Sequence, residues 1–390
     1  MKNPWGEVSG IRPVKIARNM LSVGCTADDF REKFVNELKV GEEKTQLTLN
    51  IAIREMNILK NFNKNDICLY IGVPFCKTRC LYCSFVTNSA AKNNKYMRPF
   101  IKNLIKEIEY TSELLKKTDY NIVGLYFGGG TPTTLSAMDL EDVINKCYES
   151  FDLSNLVEFT VEAGRPDTID RDKLETLKRC GVTRISINPQ TMNDNILKVI
   201  GRAHTVQDIY DSFNLARECG FDNINMDLIA GLPTETLEEF KKSVNLITEL
   251  SPECITVNTM SIKRGSALHE KLGDYALTDE NVVADMVNYS IDRLTKYNYY
   301  PYYLYRQKHM VGNFENIGYS KEGKECLYNI MIMEETNSII SMGCGGVSKI
   351  VNLPNDRIER VFNVKEAKDY VERIDEMLHR KDIILDWLKF

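Results

Sequence analysis

Between residues 67 and 259 the chain alternates short β-branched runs with amphipathic stretches, six times over, and this alternation restricts the fold more than any other feature. The extended runs are Ile67 to Val73, Ile122 to Phe127, Val157 to Glu162, Thr183 to Asn188, Asn223 to Ile229 and Cys254 to Thr259. Helical periodicity fills the gaps at Tyr96 to Leu114, Leu140 to Tyr148, Arg171 to Lys178, Thr205 to Cys219 and Thr236 to Leu250. Strand, helix, strand units in one sheet connect by right-handed crossovers, so a parallel sheet follows. Six units fall short of the eight of a closed barrel. The expected fold is therefore α/β, a partial (β/α)6 TIM-type barrel with its chemistry at the C-terminal ends of the strands.

The flanks follow other patterns. Residues 1–66 are helical in pattern, with Ala27-Asp28-Asp29 as a start signal and an apolar stripe through Leu47, Leu49, Ile51, Ile53 and Met56. After residue 265 a helix pattern at Asp279 to Lys296 leads into Tyr297 to Tyr305, which holds 6 of the chain's 19 tyrosines. Strand-like runs at Ile330 to Met333 and Ile339 to Met342, a glycine turn at Gly343 to Gly346 and a charged helix from Lys365 to His379 complete the chain. Three regions are expected: a helical N-terminal extension (1–66), the partial barrel (67–265) and a smaller C-terminal α+β domain that covers the substrate (266–390). Without repeats or low-complexity linkers, they should pack tightly.

Composition excludes several classes. With 43% hydrophobic and 27% charged residues the chain is globular. No run approaches the ~20 apolar residues of a bilayer crossing, and Met1 to Gly10 lacks a signal-peptide pattern, so a cytoplasmic protein without membrane contact is expected. A balance of 50 basic against 55 acidic side chains, 50 − 55 = −5, argues against nucleic acid held by bulk charge.

The 11 cysteines are odd in number, which suits reduced thiols better than a disulfide framework. Cys25, Cys68, Cys147, Cys180, Cys219, Cys254, Cys326 and Cys344 sit among apolar neighbours, where cysteine acts as a small buried hydrophobe. Cys76, Cys80 and Cys83 are different: Cys-x3-Cys-x2-Cys puts three thiolates on one short loop after the first strand. Structural zinc would need a fourth ligand from a distance, such as Cys68. An iron–sulfur cube held by three cysteines keeps one iron open for a small molecule.

Polar groups gather at the ends of the runs. Gly128-Gly129-Gly130 ends the second, where a ligand could approach the backbone closely, although a plain turn explains such a trio as well. Glu162 ends the third run, Gln190 follows the fourth, Arg202 comes twelve residues later and Asp227 closes the fifth. Any one of these also fits a solvated loop.

The cysteine loop, its position and Tyr82 before the last cysteine resemble the radical S-adenosylmethionine superfamily. Tyr70-Ile71-Gly72-Val73-Pro74-Phe75-Cys76 and Tyr126-Phe127-Gly128-Gly129-Gly130-Thr131-Pro132-Thr133 resemble the oxygen-independent coproporphyrinogen III oxidase family, most of all its coproporphyrinogen dehydrogenase HemZ branch. Members of that branch commonly carry a longer N-terminal region. The resemblance implies a [4Fe–4S] cluster on Cys76, Cys80 and Cys83 and one or two S-adenosylmethionines. Tyr70, Gly129 and Glu162 would contact the molecule chelated to the cluster, Glu162 through its amino group; Tyr82, Gly130, Thr131, Gln190, Arg202 and Asp227 match positions that hold a second one. Ser261 stands where the oxidase has alanine.

The implied activity is that of an oxidoreductase of anaerobic porphyrin and heme biosynthesis with no side chain as base or nucleophile. A 5′-deoxyadenosyl radical abstracts hydrogen from coproporphyrinogen III propionates, which lose carbon dioxide and become the vinyl groups of protoporphyrinogen IX. A flavodoxin or ferredoxin-type electron donor is implied with it. Lys263, Arg264, Arg306 and Lys308 are candidate anchors for the substrate carboxylates or ordinary surface charges, and the tyrosines could wall a macrocycle or pack a strand.

Three positions depart from the family pattern. Phe85 replaces a fourth cysteine, Gly72 replaces a histidine, and Tyr328 stands where the related heme chaperone branch has its heme-binding histidine. A heme-delivery protein that keeps a cluster, with His309 as a nearby ligand, is thus the alternative, together with radical chemistry on another porphyrin. His204, His269 and His379 are expected at the surface.

Overall fold

In a computed structural model of the chain, the structure describes residues 3–84, 90–308, 310–351, 354 and 357–388, apart from the side chains of 90–94. The six expected strands form as β1 (Asp66–Val73), β2 (Asn121–Gly129), β3 (Glu158–Glu162), β4 (Arg184–Ser186), β5 (Ile224–Ala230) and β6 (Cys254–Thr259), each parallel to the next. The helices between them, Ala90–Leu115, Ala137–Ser150, Arg171–Arg179, Val206–Glu218 and Leu237–Leu250, bury one face each. Their starts are chemically marked: Ser136, Asp170, Thr205 and Thr236 accept from backbone N–H groups of the first turn, the last two in full capping boxes. This is the open α/β barrel that the alternation predicts.

The segment after residue 265 adds α+β elements but builds no sheet of its own. Strands β7 (Tyr300–Tyr305) and β8 (Asn316–Ser320) extend the β6 edge antiparallel, and β9 (Ile339–Gly343), β10 (Val347–Ile350) and β11 (Glu359–Phe362) extend the β1 edge. The result is one 11-stranded sheet in the order β11-β10-β9-β1-β2-β3-β4-β5-β6-β8-β7. Strand β9 is parallel to β1, with Gly72 opposite Gly343.

The expected strand at Ile330 to Met333 is instead part of a helix, Leu327–Glu334. A buried carboxylate decides the matter: Glu158 accepts from the Leu327 N–H at 2.7 Å, the Tyr328 N–H at 3.3 Å and the Cys326 thiol at 3.3 Å. These N–H groups, which a helix leaves unpaired, are thereby satisfied inside the protein, and the negative charge suits the helix N-terminus.

In the N-terminal extension, helices Pro13–Ser22 and Glu42–Leu59 pack against β7, and the short helix Ala27–Arg31 packs on these two. Leu47, Leu49 and Ile51 are buried as expected, but Ile53 is 46% exposed. Glu315, fully enclosed, accepts from Trp5 Nε1 at 2.8 Å and pairs with Lys44. Arg54 grips Glu325, the Tyr300 carbonyl and Ser320 Oγ. Among the described residues no helix is long and apolar enough to cross a membrane.

Candidate functional site

The cysteine loop leaves β1 through Pro74 and Phe75, and Phe75 is anchored edge-on against Phe100 with ring centroids 5.4 Å apart. The glycine end of β2 runs alongside it: the Gly130 N–H donates to the Val73 carbonyl and the Thr131 N–H to the Phe75 carbonyl, both at 2.7 Å. A Cβ on Gly130 would lie 2.5 Å from the Phe75 oxygen, so this approach requires glycine. On its other side the loop is tied to Ile200 and Gly201, through the Leu81 N–H at 2.9 Å and Thr78 Oγ1 at 3.1 Å. From beneath, buried Arg165 donates to the Thr78 carbonyl at 3.0 Å and reaches Cys80 Sγ at 3.7 Å, while Asp167 holds its guanidinium at 3.0 Å.

Cys76, Cys80, Cys83 and all nine residues expected to bind S-adenosylmethionine line one cavity of about 320 Å³ above the strand ends. Within it Glu162 accepts a 2.7 Å hydrogen bond from the Tyr126 hydroxyl. Burial pushes the Glu162 carboxyl up to about 7; the Tyr126 bond and the Gly129 N–H pull it down, and Asp227 pushes it up. Asp227 is likewise raised by burial, against the hydrogen bonds from Asn225 and Thr256. Arg202 reaches the Asn188 and Gly164 carbonyls at 2.5 and 3.3 Å, with the Tyr82 hydroxyl 3.5 Å away. Gln190, at φ 69°, is pinned to β5 by bonds to the Asp227 carbonyl and the Ile229 N–H.

Three buried polar atoms here, Gln190 Oε1, Asn188 Oδ1 and Arg202 Nε, have no hydrogen-bond partner among the described residues. Such atoms are costly unless something pairs with them. The donor set fits an iron–sulfur cluster: three soft thiols share the cavity with two acids and further polar groups. Burial raises the Cys76 thiol to about 11, so metal binding there must displace its proton. Structural zinc does not fit. Cys68, the distant fourth ligand it would need, instead packs on Met331 with its Sγ 3.5 Å from the Met331 Sδ.

Other expectations are sorted by the packing. Lys263 and Ser261 line an adjoining central cavity of about 360 Å³, with Tyr303 and Tyr305 on its wall. Arg306 does not: it donates to the Val8 carbonyl at 3.1 Å and lies over Trp5. Arg264 and the Lys308 side chain are exposed. His269 and His379 are exposed as expected, but His204 is only 6% exposed, and burial together with Arg202 pushes its imidazole down to about 4. The turn from Ile200 to Thr205 lies under the cysteine loop, which encloses it. Phe85 and His309 lie outside the described residues.

The absent histidine at Gly72 has a steric cause: a Cβ there would lie 2.3 Å from the Cys344 carbonyl oxygen. Two contributors had no sequence signal strong enough to single them out. Arg165 follows Gly164 beyond the end of β3, and a basic residue at a strand end was the available hint. Tyr126 stacks on Tyr328 at 4.3 Å and on Tyr70 at 6.0 Å, contacts that join β1, β2 and the helix Leu327–Glu334.

The radical SAM superfamily profile matches residues 70–247. The oxygen-independent coproporphyrinogen-III oxidase-like protein HemZ of Bacillus subtilis (strain 168) is 38% identical over 97% of this chain and 76% of its own length. The heme chaperone HemW of the same organism is 30% identical over 79% of this chain and 76% of its own length. Among solved structures, coproporphyrinogen III oxidase (HemN) from Escherichia coli, described as a radical SAM enzyme, superposes with a TM-score of 0.63 at 23% identity, covering 87% of this chain and 74% of that one, which shows a shared fold. An identity of this extent along nearly the whole chain, on this fold, places the protein in the radical SAM superfamily and, within it, in the oxygen-independent coproporphyrinogen-III oxidase-like family.

Proposed function

We propose that the chain is a radical oxidoreductase acting on a tetrapyrrole, converting the propionates of coproporphyrinogen III to vinyl groups. In each of two conversions the propionate side chain loses a hydrogen atom to the 5′-deoxyadenosyl radical, releases carbon dioxide and passes one electron to an external one-electron acceptor. The observation that carries this reading is the convergence of three thiols, two half-buried acids and unpartnered amide and guanidinium atoms in one cavity at the strand ends.

The cofactors are those of the superfamily, a [4Fe–4S] cluster and S-adenosylmethionine, which when bound supply a 5′-deoxyadenosyl radical. Cys76, Cys80 and Cys83 would hold the cluster. Glu162, oriented by Tyr126, would take the ammonium of the S-adenosylmethionine on the open iron, with Tyr70 and Gly129 beside it. Tyr82, Gly130, Thr131, Gln190, Arg202 and Asp227 would take further polar groups, and pairing with Gln190 and Arg202 would satisfy atoms otherwise left bare. The residues orient the reactants and exclude water; none of them acts as nucleophile.

Heme delivery is the second reading, favoured by the similarity to HemW. Against it, Tyr328 stands in the tyrosine stack where that branch has its histidine. The test is anaerobic incubation of reconstituted protein with S-adenosylmethionine, a reductant and coproporphyrinogen III. Vinyl products with 5′-deoxyadenosine are expected. 5′-Deoxyadenosine without porphyrin product overturns the substrate and keeps the radical class; stable heme retention without turnover supports delivery.

A further inference from the structure

Two further cavities adjoin the cofactor cavity. The central one, about 360 Å³, shares Tyr82, Cys83, Glu162, Gln190 and Asp227 with it. The lateral one, about 310 Å³, shares Tyr70, Gly129 and Gly130 and extends toward β9 and β10. A substrate in either would border the cofactors, so chemistry must distinguish them.

We propose that the lateral cavity seats an edge of the anionic macrocycle and that Lys365 anchors one of its carboxylates. This rests on the tetrapyrrole reading above.

The two linings differ in charge. Among the described residues the central cavity presents two half-buried acids, Glu162 and Asp227, against one ammonium, Lys263; its remaining polar surface is mainly neutral amides and hydroxyls. A propionate placed there would face like charge in a poorly solvated space, which costs free energy without a compensating pair. Cationic or neutral polar ligands suit that space. Among the described residues no carboxylate lines the lateral cavity. Its walls include Val73, Pro74, Ile332 and Val347, with the Tyr328 ring among them, and Lys365 is the one cation among its described lining residues. Lys365 is exposed and makes no ion pair or hydrogen bond through its side chain among the described residues, so its ammonium is available. Apolar walls, one aromatic face and a cation at the side match a flat ring system that carries carboxylates.

The wall is also preset. Tyr328 stacks on Tyr126 at 4.3 Å and on Tyr70 at 5.8 Å, and its backbone N–H is held by Glu158. A ring fixed before binding loses little freedom when a ligand packs on it. The cavity takes an edge of the macrocycle, and the rest projects past the rim at Ser84.

The test uses the reconstituted full chain and coproporphyrin III, the coloured tetracarboxylate, titrated by its absorbance and fluorescence. Lys365→Glu should weaken binding about tenfold or more, and Lys365→Arg should restore it, as one charge-assisted contact predicts. Ile332→Trp, which fills the lateral cavity, should block binding; Lys263→Glu and Met260→Trp, on the central cavity, should leave it within about threefold. Iron–sulfur absorbance and S-adenosylmethionine binding serve as folding controls. Unchanged porphyrin affinity in Lys365→Glu, or block by Met260→Trp in place of Ile332→Trp, overturns this assignment and keeps the tetrapyrrole reading. A wild-type protein that cleaves S-adenosylmethionine but binds neither coproporphyrin III nor coproporphyrinogen III overturns that reading, and this assignment with it.

Discussion

The Tyr126 hydroxyl donates a 2.7 Å hydrogen bond to the Glu162 carboxylate, joining neighbouring strands β2 and β3 beside the position proposed for the ammonium. With burial holding that carboxyl at about 7, cation binding should strengthen as the pH rises through this value, because only the ionised form attracts the ligand. The Tyr126 bond and the Gly129 N–H favour the ionised form; Asp227 opposes it, and the neighbouring rings of Tyr70 and Tyr328 are neutral. Tyr126→Phe should therefore move the midpoint upward and weaken S-adenosylmethionine binding near neutral pH by about tenfold. Calorimetric titration across neutral pH checks this; an unshifted midpoint would reduce Tyr126 to a packing residue.

The cysteine loop supports a prediction about metal. Cys80→Ala should abolish both the iron–sulfur absorption and S-adenosylmethionine cleavage, and cleavage that survives would refute the cluster assignment. Arg165→Met keeps all three thiols but strips the buried Asp167 of its close partner and the loop of its tie at Thr78. The expected outcome is a stability loss of about 3 kcal/mol by chemical denaturation, with reduced cluster occupancy.

Gly72 offers a steric test. Restoring the family histidine by Gly72→His forces a Cβ to within 2.3 Å of the Cys344 carbonyl unless the turn after β9 moves. Overpacking of this kind costs about 1–3 kcal/mol, readable as a lower thermal midpoint. Unchanged stability would mean that the β9 turn yields freely.

Glu315 is one of the anchors of the N-terminal extension. Lys44→Met leaves that enclosed carboxylate with Trp5 as its remaining side-chain donor, an uncompensated buried charge worth about 3–5 kcal/mol. Limited proteolysis should then release residues 1–66 more readily than in the wild type. Equal protease resistance would show that the extension's other ties, such as Arg54 to Glu325 and Arg18 to Glu334, suffice to hold it.

Strand positions were legible because period-two and period-3.6 patterns are local. Residues Cys254–Thr259 form β6 with the boundaries the sequence suggests, and the cysteine spacing identified its loop without any tertiary information. The helix Leu327–Glu334 was not legible, since its apolar run Ile330 to Met333 suits either element and the deciding Glu158 lies far away in sequence. His204 was misjudged for a related reason: nothing in Arg202-Ala203-His204 tells that the loop from β1 covers it.

The amino-acid order thus determined the strand–helix alternation, the thiol loop and the polar residues at strand ends, all of which depend on spacing along the chain. Only the tertiary structure decided that the C-terminal strands extend the same sheet, that Arg306 turns to Trp5 while Lys263 lines a cavity, and which acids share a buried space. These outcomes depend on contacts between residues hundreds of positions apart, where burial and packing, rather than local propensity, set the free energy.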